Sequence, residues 1–146
     1  MRLSTRARYG LRAMIDLAVH AANGPSSAEA IGRRTGISEK YLQNILYSLK
    51  GQKLINTTRG PNGGYILARP AEMISAGEVV AFLEGDVGVI DCVVSPRTCE
   101  RTAACASQEL WGEISCSIKS ILDSRKLSDL ATRHRAIQEA RTSYEI

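Results

Sequence analysis

Apolar residues recur at spacings of three and four through most of the first fifty positions, the pattern of helices that each bury one face. Leu11, Met14, Ile15, Ala18 and Val19 predict a first helix, opened by Ser4 as its cap and ended by Asn23-Gly24-Pro25. Ser26-Ser27-Ala28-Glu29 has the form of a capping box and opens a second helix to Thr35, where Gly36 stops it. Ser38 then caps a third, in which Tyr41, Leu42, Ile45, Leu46 and Leu49 make the buried stripe. Gly32 lets the last two helices approach, Gly36 makes the turn, and Ile31, Ile37, Leu42 and Ile45 supply a shared core, so this stretch predicts a helix-turn-helix.

The period then changes. Residues 54–58 and 65–68 read as two strands around Arg59-Gly60-Pro61-Asn62-Gly63-Gly64, a turn rich in residues that tolerate positive φ. A hairpin directly after the third helix makes a winged helix. Residues 74–85 predict a short amphipathic helix closed by Gly85, with Val79, Val80, Phe82 and Leu83 available for packing. From 107 to 124, Leu110, Trp111, Ile114, Ser117, Ile118, Ile121 and Leu122 share one helical stripe. A short helix starts at Leu127, and a polar tail follows from Arg133. The expected fold class is therefore mainly α (α+β). Residues 1–70 form an N-terminal winged helix-turn-helix domain with a two-stranded wing, and residues 71–146 hold a sensor loop (90–107), a long helix (107–124) and a C-terminal tail.

Charge sharpens this division. Across the 146 residues the net charge is +4, but residues 1–70 carry eleven Lys or Arg against three acidic residues, and residues 71–146 carry eight against twelve. The first part suits a polyanion; the second calls for another role. Ser38, Glu39, Lys40, Tyr41 and Gln43 on the third helix would meet base edges, and Arg59 and Gly60 at the wing tip would meet an adjacent minor groove. No stretch approaches the length of a membrane span and no apolar run follows Met1, so a cytoplasmic protein that touches no membrane is expected. No Cys-x-x-Cys, phosphate-binding loop or paired His and carboxylate supports an enzyme. His20 and His134 read as structural and solvated, respectively.

Residues 90–105 show neither helical nor strand periodicity, yet hold Cys92, Cys99 and Cys105 in a C-x6-C-x5-C spacing. Pro96 and Thr98 argue against continuous helix, and Asp91, Ser95, Arg97, Glu100 and Arg101 make the segment too polar for a core strand. Three thiol donors on one flexible segment of a reducing compartment point to a metal or cluster site. Cys116, on the helix beyond, reads as a packing residue.

Met1-Arg2-Leu3-Ser4-Thr5, Arg8-Tyr9-Gly10, Ala13-Met14-Ile15-Asp16-Leu17-Ala18, Gly36-Ile37-Ser38, Tyr41-Leu42 and Arg59-Gly60-Pro61-Asn62-Gly63-Gly64-Tyr65 resemble the IscR/NsrR/CymR family of bacterial winged-helix transcription regulators. The resemblance covers residues 1 to about 130. It implies a homodimer on a palindromic or near-palindromic double-stranded DNA operator, an antiparallel dimerisation helix at 107–124, and an iron-sulfur cluster, [2Fe-2S] or [4Fe-4S], on Cys92, Cys99 and Cys105. The chain departs from that pattern in places. Gln108 stands where cluster-binding members have histidine, Arg8 where nitric-oxide sensors have an acidic residue, and Gln43 where iron-sulfur regulators often have Glu. Glu109, Glu100 and Asp91 remain as weak oxygen ligands. A thiol-disulfide or zinc switch, or a cysteine-metabolism repressor controlled by a partner protein, stays open beside the cluster.

Overall fold

The structure is a computed structural model and describes residues 3–144. Helix α1 (Thr5–Val19) starts at Ser4, whose hydroxyl accepts from the Ala7 amide at 3.1 Å. Helix α2 (Ala28–Thr35) is capped by Ser27 in the same way. It ends at Gly36, which takes a left-handed φ of 71° and donates its amide to the Gly32 carbonyl at 2.9 Å. Helix α3 (Glu39–Gly51) follows within three residues, so the helix-turn-helix stands as expected.

Strands β1 (Ile55–Thr58) and β2 (Gly64–Leu67) pair antiparallel, Ile55 opposite Leu67 and Thr58 opposite Gly64. Helix α4 (Ala76–Glu84) is capped by Ser75 and stopped by Gly85. A single-turn helix α5 (Asp91–Val94) and two 3-10 turns lead into α6 (Ala106–Ser124) and α7 (Leu127–Tyr144). The result is a winged helix with a long helical second half, the mainly α class the pattern predicts. Among the described residues no helix is long and apolar enough to cross a membrane.

The core is one cluster with α1 at its centre. Met14, Ile31, Leu42, Ile45, Leu46, Leu49, Leu54 and Ile55 from the first half are sealed together with Ile74, Val79, Leu83, Leu127 and Ala131 from the second. α7 is held along α1 by Leu127 and Ala131, and by Arg135, which donates to the Val19 carbonyl at 3.2 Å. Two expectations change here. The polar tail is helix to Tyr144, although only Leu127 and Ala131 of α7 are buried. The segment at 90–105 is a chain of short helical turns, since Pro96 opens a 3-10 turn as readily as it breaks an α-helix.

Candidate nucleic-acid interface and cysteine segment

The stripe that buries Leu42, Ile45, Leu46 and Leu49 turns the opposite face of α3 to solvent. Ser38, Glu39, Lys40, Gln43, Asn44 and Tyr47 are all exposed there. Ser38 occupies the cap position with its side chain making no capping bond, which leaves the hydroxyl for an outside partner. Gln43 donates its amide to Glu39 Oε1 at 3.0 Å across one helical turn. Tyr41 is not part of this face. It is half-buried and meets the ring of Tyr9 edge-on, with centroids 6.0 Å apart at 79°, while Arg12 lies 5.2 Å over the Tyr9 centroid. The expected set thus divides: Ser38, Glu39, Lys40 and Gln43 stand together, and Tyr41 joins α3 to α1. Asn44 and Tyr47 were missed, though their spacing of one and four from Gln43 was the signal.

Arg59 and Gly60 are exposed at the wing tip, where Gly60 has a φ of 108° and accepts the Gly63 amide at 3.0 Å. The wing is tied down at its other end. Ser26 exchanges two backbone bonds with Tyr65, 3.0 and 2.8 Å, at an approach so close that a Cβ on Gly64 would stand 2.5 Å from the Ser26 carbonyl oxygen.

Behind that contact lies a polar centre the sequence reading did not single out. Asp16 is 7% exposed and accepts from Arg34 Nε at 2.9 Å and Nη2 at 2.7 Å, while the same Nη2 reaches Ser26 Oγ at 2.9 Å. His20 adds its Nδ1, 2.9 Å from the Asp16 carbonyl oxygen. The hydrogen bond to Asp16, with the carboxylate's charge beside it, raises the Arg34 pKa further above its ordinary range, against the opposing effect of burial. One ion pair therefore joins α1, α2 and, through Ser26, the wing. Its signal was a carboxylate set between Ile15 and Leu17 in an otherwise apolar stretch.

Cys92 lies half-buried in α5, Cys99 is exposed at the end of the turn Pro96–Thr98, and Cys105 is half-buried at the cap position of α6. Thr102 braces the segment by donating to the carbonyls of Cys99, at 2.8 Å, and Pro96, at 3.1 Å. All four cysteines are free, and among the described residues no three His, Cys, Asp or Glu side chains are gathered to hold a metal. The donor set suits sulfur-loving metals. Cys105 Sγ lies 3.1 Å from Ser107 Oγ; this hydroxyl, then the Gln108 amide, hold its thiol below the ordinary range. Cys116 is exposed on α6, so it is not the packing residue expected.

α6 buries none of its residues. Leu110, Trp111 and Ile121 are 52%, 36% and 60% exposed. Ile114, Ile118 and Leu122 of the same stripe are half-buried.

Comparison with known proteins matches this architecture. The Rrf2 family, described as "Iron-dependent Transcriptional regulator", covers residues 3–133. Protein rrf2 of Nitratidesulfovibrio vulgaris is 38% identical over 130 residues, 89% of this chain and 87% of that protein. The HTH-type transcriptional regulator CymR of Bacillus subtilis is 35% identical over 144 residues, 99% of each chain, and its solved structure superposes with a TM-score of 0.79 over 91% of this chain and 98% of that one. IscR of T. potens superposes with a TM-score of 0.77 at 33% identity, over 94% of this chain and 91% of that one. With a wing, a helix-turn-helix whose second helix exposes a polar face, and relatives that are transcriptional regulators rather than enzymes, the chain belongs to the Rrf2 family of transcriptional regulators.

Proposed function

We propose that this regulator acts in the cytoplasm as a homodimer on double-stranded operator DNA, and that its operator affinity is set by an iron-sulfur cluster, [2Fe-2S] or [4Fe-4S], on Cys92, Cys99 and Cys105. The observation that carries the reading is the place of the thiols. Three free cysteines lie on the segment that leads directly into α6, the helix that leaves Leu110, Trp111 and Ile121 exposed. Such a cluster supplies redox and nitric-oxide chemistry at its sulfur-bound irons.

The chain's own residues do the rest. Glu39, Lys40 and Gln43 meet base edges in the major groove, Ser38 and the first-turn amides of α3 hold a phosphate, and Arg59 with Gly60 reaches the minor groove. The open face of α6 pairs with its copy and sets the distance between the two recognition helices. Anaerobic purification with iron and sulfide analysis tests the cofactor. Operator affinity of the loaded protein, the apoprotein and a triple Cys→Ser variant tests the switch; equal affinities for all three would reject it.

One observation favours a second reading, a reversible thiol switch without a cluster: Cys105 is already biased toward thiolate by Ser107 and Gln108, and thiolate is the reactive form. Protein that contains no sulfide and changes operator affinity on mild oxidation would select it.

A further inference from the structure

We propose that Tyr47 is a specificity residue that reads a thymine, its ring packing on the base's C5-methyl group in the major groove. This rests on the operator-binding reading and names part of what is read. Glu39, Lys40, Gln43, Asn44 and Tyr47 are exposed at spacings of one, three and four, a continuous strip along α3. At about 100° per residue, Gln43 lies roughly 110° from the middle of the buried stripe, whereas Asn44 and Tyr47 lie roughly 150° from it. The residues facing most directly outward are therefore Lys40, Asn44 and Tyr47. Gln43 stands on the flank with its amide already given to Glu39.

Tyr47 is 81% exposed, and among the described residues its ring makes no aromatic or cation contact and its hydroxyl no hydrogen bond. A lone exposed aromatic is ordinary; position separates this one. Tyr144 is 91% exposed on the last turn of a different helix, α7, and serves as the internal control. The ring is the one large uncharged surface on the strip, and thymine is the base that offers a methyl group in the major groove.

The test begins with selection of duplexes from a random pool by the full-length protein, followed by replacement of each thymine in the selected site by uracil, which deletes only the methyl group. Loss of one buried methyl contact predicts that uracil at one position per half-site weakens wild-type binding about fourfold. Tyr47→Phe should keep that sensitivity. Tyr47→Ala should bind the selected site more weakly and ignore uracil at that position, while Tyr144→Ala behaves as wild type. A uracil profile shared by wild type and Tyr47→Ala would overturn the inference and leave operator binding intact. A pool from which wild type enriches nothing would overturn the operator reading, and this inference with it.

Discussion

Arg34 and Asp16 form an ion pair whose two halves are unequally buried, and that inequality predicts an unequal response to truncation. The Asp16 side chain is 8% exposed, whereas that of Arg34 is 30% exposed. Removing the carboxylate in Asp16→Ala leaves a guanidinium that can turn back into water, which lowers the cost below that of an uncompensated buried charge to about 2 kcal/mol. Removing the guanidinium in Arg34→Ala leaves the more buried charge without its partner, with only His20 Nδ1 near it at 3.5 Å, at about 3–4 kcal/mol. The double variant loses both charges together. The coupling between the two sites should be about 2 kcal/mol, within the range expected of residues in direct contact. Urea unfolding followed by circular dichroism measures all four corners of the cycle at one protein concentration, which keeps any association constant across the set. Single variants of equal cost, or a coupling below about 0.5 kcal/mol, would refute the argument that Asp16 is the deep partner.

Gly64→Ala should release the wing with the core intact: its methyl group meets the Ser26 carbonyl, and loss of the two Ser26–Tyr65 backbone bonds at about 1 kcal/mol each would appear as faster amide exchange at Tyr65. Ser107→Ala should raise the Cys105 pKa, because the hydroxyl is the largest cause lowering it; alkylation of Cys105 by iodoacetamide near neutral pH slows relative to wild type and recovers as pH rises through the new value. Arg59→Ala should weaken DNA binding and reduce the slope of log affinity against log salt by about 1. Replacing Leu110 and Ile121 together by Glu should give a folded protein of monomer mass in sedimentation; a variant that still sediments as a dimer would place the interface elsewhere.

Helices α1 to α4 and the wing were legible from local evidence: caps that bond at Ser4, Ser27 and Ser75, apolar stripes that are buried, and glycines where the chain must turn. α7 was not, since Leu127 and Ala131 are its only buried residues among those described; beyond them Ala, Arg, Gln and Glu favour helix by local propensity, with Arg135 tying it to the Val19 carbonyl. The Asp16 centre was hidden for another reason. A carboxylate inside an apolar stretch announces a partner, but Arg34 lies eighteen residues away and only the α1–α2 packing selects it. The thiol spacing named three donors, whereas whether they converge depends on the backbone of the turns between them, which spacing does not encode. What the fold adds is a packed route between this segment and DNA. Cys105 caps α6, and a Cβ on Gly77 of α4 would overlap the Asp123 carboxylate of α6. On the other side of α4, Leu83 occupies the space that a Cβ on Gly10 of α1 would need, and that same point lies 3.4 Å from Ile45 Cγ2 of α3. Contacts this close leave no slack for a methyl group. In the proposed reading, a change in the cysteine segment that displaced α6 would press on α4 and then on α1, and so on the helix that carries Lys40, Asn44 and Tyr47.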